Sequence, residues 1–586
     1  MANYRIAIAI DFGTARSGYA YIFMEDKDAK EPSFRNKWPD TNEFYPKTLT
    51  EILFAPDDSV EAWGHTAKKK FTQLRETGEE QGYTFINNFK TLLQEGKERD
   101  DDGPYIMRKG KKLSILNLIA EFLRRIKDTA LKDIGDGLGG EGLLDESEIR
   151  WCLTVPAVWT DDSKQIMRRA AQVAGLIGEG TEEADRLILV LEPEAAAVHC
   201  QQVMLGRNES APLVGGKTIM IVDAGGGTVD ITVHEVVKDR GLDELIPPGG
   251  GLHGSKYVDQ SFRKFLDAKL SVEAMKEFQA EWPVEYAKLM GETWESIKCG
   301  YDADSNWRTS IELPRKLEKI LKDKYPEILE QLANAQGGDD TVIRLTNKDM
   351  EAIFKPIVDQ LIKRIREQFT ALKDRKCDIL FLVGGFAESP LLKNRIREEF
   401  KDKVERIVIP DRPGVAVLLG AASFGVNPGV ILARRSRLTY AKGCATPFQN
   451  GIDPEEKRIP KEVISLIYQE EEDCDYCDKR FDIFVAAGDR VPTDARVIRK
   501  YLIPPQETKI ETTFLSTSNS KVRYTDEEGV SKIASVEIRL PFPPKDNAKK
   551  YIEVEMHFGL SEVVAYTIDP ISGNRERCNF RFSSSY

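Results

Sequence analysis

The chain has 586 residues, 41% apolar and 31% charged, so it can bury several cores and is neither fibrous nor disordered in composition. A formal net charge of −12 argues against a nucleic-acid footprint spread over the surface, and eight scattered cysteines do not make a disulfide framework. No run approaches the roughly 18–20 apolar residues of a membrane span, and the apolar start from Ile6 to Ile10 is too short for a signal-peptide core. The expectation is a soluble protein of a reducing compartment, the cytoplasm or the nucleus.

Tyr4 to Tyr21 reads as strand, turn, strand: β-branched residues, Asp11 at the strand end, then Gly13 and Thr14 in the turn. Residues 25–112 are polar and interrupted; the charge runs at 68–70 and 98–102 read as solvated faces, and Lys90 alone as a surface lysine. Leu113, Leu116, Ile119, Ala120, Leu123, Ile126 and Ala130 recur at helical spacing and predict an amphipathic helix over 113–132, with a glycine-rich surface loop at 135–142. A strand over 150–155 precedes a helix capped by Thr160 or Asp161, with Ile166, Ala170, Val173 and Ala174 facing inward. A strand over 186–191 leads into Glu192-Pro-Glu-Ala-Ala-Ala197, where Pro193 suits a first helical turn.

The stretch from Ile219 to Val236 repeats the opening pattern more strongly. Apolar Ile219 to Val222 end at Asp223; Gly225, Gly226, Gly227 and Thr228 form a tight turn, and an alternating strand follows. Three glycines remove every Cβ from the turn, so backbone N–H groups can cradle a phosphate, and Asp223 stands where a hydrated magnesium ion would help neutralise a polyphosphate. Two such hairpins suggest two half-domains closing on one phosphate chain. Beyond them come a second glycine-rich loop at 247–254, a helix over 257–270 and mostly helical patterns to 373. Residues 378–392 then read as a buried strand, a Gly384-Gly385 turn able to lie against a nucleoside, and a helix start with Ser389 and Pro390; 413–424 reads as a small-residue helix that can pack closely. After about residue 435, short β-rich runs, including 463–468, alternate with turn residues, the pattern of an antiparallel sandwich. Cys474 and Cys477 have metal-ligand spacing but lack two further ligands in sequence, so free thiols are expected; the five histidines are isolated, with His234 and His253 in surface or turn roles.

Together these segments resemble the actin, hexokinase and seventy-kilodalton heat-shock ATPase superfamily, the heat-shock branch most closely. The resemblance covers about 2–425, through Asp11-Phe-Gly-Thr-Ala15, Leu153-Thr-Val-Pro-Ala157, Glu192 to Ala197, Asp223 to Asp230 and Val383-Gly-Gly385; the texture of the β-rich region is similar to the divergent heat shock 70 kDa protein 12 subfamily. It implies a two-lobed α/β actin-like fold with a duplicated ribonuclease-H-like core over 1–428, a linker over 429–438 and a β-rich substrate- or partner-binding domain over 439–586, with no helical lid and no acidic co-chaperone tail.

The resemblance also implies roles for residues that match. Asp11 and Asp223 would hold Mg2+ through its waters, and Gly13, Thr14, Gly225, Gly226, Gly227 and Thr228 would bind phosphates. Lys90 and Glu192 would position the attacking water, while Glu295, Lys298, Gly384 and Gly385 would meet the nucleoside of ATP or ADP. Four departures bear on this: Glu388 and Cys299 stand in place of arginines of the adenine pocket, Gly414 in place of an aspartate, and Ala15-Arg16 in place of a Thr-Tyr pair. The expected function is a weak, atypical chaperone ATPase that couples closure of its lobes to binding of a protein or peptide client, served by a nucleotide-exchange factor or other co-chaperone. The alternatives are a non-hydrolysing nucleotide-sensing scaffold and a sugar or metabolite kinase of the same superfamily.

Overall fold

The computed structural model describes residues 4–25, 31–95, 98–100, 103–140, 142–178, 180, 183–206, 215–237, 241–303, 306–469, 471, 473–540, 550–558 and 561–578. The chain forms two compact units. The first comprises Met1–Val158, Ala170–Val233 and Pro248–Asn427; the second comprises Trp159–Arg169, His234–Pro247 and Pro428–Tyr586.

The first unit is built on two sheets of the same plan, each a hairpin extended by parallel strands. In one, Ile6–Asp11 pairs antiparallel with Arg16–Phe23 and parallel with Ile149–Val155, which pairs in parallel with Leu187–Leu191. In the other, Thr218–Ala224 neighbours Val229–Val236 and pairs in parallel with Ile379–Val383, which pairs in parallel with Arg406–Val408. The central strands are apolar and buried along their length, as expected for parallel strands covered on both faces. The covering helices approach closely where the sequence is small. At Gly420, in helix Ala416–Val426, a Cβ would lie 1.8 Å from the carbonyl oxygen of Ala195, in helix Glu192–Gly206. At Gly425 it would lie 2.7 Å from Cys152 Sγ and 2.8 Å from Ala7 Cβ.

Several expectations need correction. The helix starting at Ile115 does not stop near 132 but runs to Leu138, taking in the glycines read as a loop; it ends at Gly139, whose φ of 102° supplies the left-handed turn. Residues 247–251 are not loop but the end of strand Leu242–Gly251, and at Gly250 a Cβ would meet the Val229 carbonyl oxygen at 2.0 Å. A two-stranded ribbon, Arg308–Glu312 with Val342–Thr346, interrupts the helical stretch. Val173 is half exposed instead of facing inward, because its helix ends there. His234 is fully buried on its strand, not a surface residue.

In the second unit, a five-stranded sheet contains Thr439–Pro447, Tyr476–Val485, Lys509–Thr517 and Ser531–Arg539, with Arg458–Ile459 at one edge. A four-stranded sheet runs Arg496–Leu502, Tyr551–His557, Val564–Ile568, Arg575–Cys578. Both contribute to one core around Phe484, Phe514, Ile538, Ile552, Val554 and Met556. Residues 463–468, read as a β run, lie in helix Lys461–Tyr468: Pro460 sets its entry and Ile464 is its buried residue, leaving Leu466 exposed. Segment Trp159–Arg169 is held within this unit by Tyr440 Oη donating to Asp161 Oδ2 at 2.6 Å and by Arg168 Nη2 donating to Glu562 Oε2 at 2.5 Å. Lys164, which donates to the Ser561 carbonyl, is pushed down to about 8 by burial. Cys474 is exposed and Cys477 buried, both as free thiols.

The helix crossing at Gly420 leaves no room for a methyl group. Gly420→Ala is therefore expected to lower the unfolding free energy by about 1–3 kcal/mol, despite alanine's better helix propensity. Urea denaturation of the two proteins reads the difference.

Candidate functional site

Both hairpin turns of the first unit are built to present their tips. In the first, Gly13 N–H donates to Ser17 Oγ at 3.1 Å, Thr50 Oγ1 donates to the Gly13 carbonyl at 2.8 Å, and Thr50 N–H donates to the Ala15 carbonyl at 2.9 Å. A Cβ on Gly13 would be 2.2 Å from the Arg16 carbonyl oxygen, so only glycine closes this turn. In the second, the carbonyls of Gly225, Gly226 and Gly227 accept from the N–H groups of Ser255, Lys256 and Gly254 at 2.9–3.1 Å. Carbonyl and amide of a trans peptide point oppositely, so these bonds turn the N–H groups of Gly226, Gly227 and Thr228 the other way. The two turns meet: a Cβ on Gly227 would be 2.4 Å from Thr14 Oγ1, and one on Gly226 would be 3.3 Å from Ala15 Cβ.

The strand ends bring carboxylates to this junction. Asp11 accepts from Thr154 Oγ1 at 3.1 Å through Oδ1, and its Oδ2 lies 2.6 Å from Lys47 Nζ. Asp223 is buried, and a Cβ on Gly384 would be 2.4 Å from its Oδ1, so glycine at 384, with φ of 91°, gives this carboxylate its place. Lys90, on the short 3-10 turn Phe89–Thr91, is no surface lysine: it is 3% exposed and donates to Glu192 Oε1 at 2.6 Å. Asp230, fully buried, accepts from Val158 N–H at 3.0 Å.

The electrostatics show a surplus of negative charge. Burial pushes Glu192 up to about 7, with Lys90 opposing and Asp230 and Asp11 adding to the rise. Burial raises Asp223 well above the usual carboxylate range, helped by Glu192, Asp230 and Asp11. Asp230 is raised by burial as well. A hydrated divalent cation fits such a site: magnesium keeps several waters and uses one or two carboxylates with substrate phosphates. Among the described residues, no group of three or more His, Cys, Asp or Glu side chains is arranged to cage a metal directly.

The residues assigned to the nucleoside also lie in this unit. Lys298 is clasped by Asp259 Oδ1 at 2.8 Å and Glu295 Oε2 at 2.6 Å, and Trp294 Nε1 donates to Asp259 at 2.8 Å. Gly384 N–H donates to the Pro413 carbonyl at 2.9 Å, while Gly385 has open space where a Cβ would stand. At Gly414 a Cβ would be 2.3 Å from Tyr45 Oη and 2.8 Å from Glu388 Oε1, so those two side chains converge over this glycine. Sequence reasoning missed Lys47, Tyr45 and Asp230. The first two lie in the irregular stretch after the first hairpin, which carries no periodic signal; Asp230 ends the quoted glycine motif and could have been found there.

The Hsp70 protein family model matches residues 75–432. The chain belongs to the Hsp70 family. It is 30% identical to human heat shock 70 kDa protein 12A, over 97% of this chain and 90% of that protein, and equally so to the mouse protein of that name. It is 26% identical to human heat shock 70 kDa protein 12B, over 100% of this chain and 92% of that protein. The family membership makes the two-sheet unit an actin-like two-lobed α/β fold, and likeness to 12A and 12B places the chain beside the divergent members.

Asp223 provides a pH test of the charge surplus. Its ionisation is disfavoured in the folded chain, so the folded state holds more protons than the unfolded one above pH 3.8, and stability falls as pH rises towards the raised value. Asp223→Asn removes that penalty and should stabilise the ligand-free protein at pH 8. The gain should shrink towards pH 4.5, as thermal denaturation across that range would record.

Proposed function

We propose that this chain is an atypical Hsp70-type ATPase that binds ATP and ADP with Mg2+ in its first unit and hydrolyses ATP slowly. The supporting observation is the buried Lys90–Glu192 pair, 2.6 Å apart, beside the strand-end carboxylates Asp11 and Asp223. Phosphoryl transfer needs positioning and charge stabilisation more than covalent chemistry, and this set offers both. The N–H groups of Gly226, Gly227 and Thr228, with Gly13 and Thr14 opposite, would hold the phosphate chain. Lys90 would orient the attacking water, and Glu192, held near neutral pH, would accept a hydrogen bond from it. Bound magnesium would neutralise charge on the terminal phosphates, its waters held by Asp11 and Asp223. Glu295, Lys298, Gly384 and Gly385 would receive the nucleoside.

The whole chain then divides into nucleotide binding over 1–428, a linker over 429–438 and a β-sandwich over 439–586 that binds a protein or peptide client. Closure of the lobes on nucleotide would bias client binding, with an exchange factor or other co-chaperone resetting the cycle, in the cytoplasm or nucleus. A nucleotide-sensing scaffold without turnover is the second reading, favoured by the Tyr45 and Glu388 side chains converging over Gly414.

Calorimetric titration with ATP, ADP and GTP in magnesium should show adenine nucleotide binding that Asp223→Ala abolishes; absence of any binding by the wild type sinks both readings. In single-turnover assays Lys90→Ala should slow hydrolysis by about a hundredfold or more while ADP affinity changes little. Binding without detectable turnover in the wild type would favour the scaffold. Glu388→Arg should tighten ADP binding by about tenfold through stacking on the base.

A further inference from the structure

Lys47 Nζ lies 2.6 Å from Asp11 Oδ2, about the distance at which a metal-bound water would donate to the same oxygen. Its delivery is rigid. Thr48 and Leu49 pair with Ser17 and Arg16, and Thr50 is tied to the first turn through the Gly13 and Ala15 carbonyls. The path of the side chain is cleared by Gly18, the register partner of Asp11: a Cβ there would be 3.1 Å from Lys47 Cγ and 2.4 Å from the Pro46 carbonyl oxygen. The lysine side chain is 11% exposed, so its charge is weakly screened. Burial alone would lower its proton affinity, but Asp11, Tyr45 and then Asp223 raise it, so it is an ammonium at neutral pH.

Among the described residues, the acids Asp11, Glu192, Asp223 and Asp230 meet here with the lysines Lys47 and Lys90. A polyphosphate entering such a site needs added positive charge. Lys90 is already held by Glu192, whereas Lys47 faces a carboxylate that a hydrated metal would also claim. Resting on the nucleotide reading above, we propose that Lys47 is a built-in cation of the phosphate site. It neutralises Asp11 before ligand arrives and turns its ammonium to the terminal phosphate oxygens of a nucleoside di- or triphosphate, so that binding depends less on a divalent ion. The flexible stem and three donors of a lysine suit this exchange of partners, because the ammonium remains paired at both ends of the move.

The test is calorimetric titration of the full chain with ADP, in Mg2+ and in EDTA, for wild type, Lys47→Met and Lys47→Arg. The wild type should lose less than about tenfold in affinity when magnesium is removed, and Lys47→Met about tenfold or more beyond that, the usual worth of a charge-assisted hydrogen bond. Lys47→Arg should restore most of the difference. Equal magnesium dependence in wild type and Lys47→Met overturns the role of Lys47 alone. No binding by the wild type in either buffer overturns the nucleotide reading, and this inference with it. Lys47→Gln, polar and of similar length, carries the same comparison if the methionine variant does not fold.

Discussion

Burial of like charge at the junction of two hairpins is the constraint on which the first unit depends. Asp11 and Asp223 stand at or next to the ends of central strands of two separate sheets, and each is nearly sealed from solvent with Glu192 and Asp230 close by. Their low exposure leaves this repulsion weakly screened by solvent. What holds the set together is apolar burial of both sheets, supplemented by the Lys90–Glu192 and Lys47–Asp11 pairs. Such an arrangement is unfavourable in itself and marks the junction as a candidate functional site, in keeping with the proposed binding of cations and phosphates.

Close backbone approach is how the chain meets that constraint. Gly384 lets Asp223 lie against the turn after a neighbouring strand, and Gly227 lets the second hairpin turn touch Thr14 of the first. The Gly420 crossing places helix Ala416–Val426 directly on Ala195, less than one turn from Glu192, so the position of that carboxylate along its axis is set by helix packing and not by its ion pair alone.

Much of this was legible in the chain itself. The strand-end aspartates, the glycine turns and the small-residue helix carry local signals, because each needs a particular residue type at a fixed offset. Lys90 was legible only through family resemblance; nothing in its neighbours distinguishes it from a surface lysine, and its burial follows from a partner 102 positions away. Lys47 and Tyr45 were invisible for the same reason, being placed by pairing of Thr48 and Leu49 with a distant strand. Val463 to Tyr468 misled because a short apolar run fits either period, and it lies in a helix that begins just after Pro460.

The bonds from Gly254, Ser255 and Lys256 to the glycine turn have a wider consequence. They make that turn and helix Lys256–Leu270 one solid piece, and Asp259 on the same helix grips Lys298 and Trp294. On the nucleotide reading, a ligand that touched the turn at one end and Lys298 at the other would be held by two prongs joined through one helix. Linkage multiplies affinity only when the span is matched, so a bare polyphosphate or a bare nucleoside, each reaching one prong, gains none of that multiplication. On the nucleotide reading, discrimination by ligand length would then rest on helix Lys256–Leu270 and its grip on Lys298, before any movement of the lobes is considered.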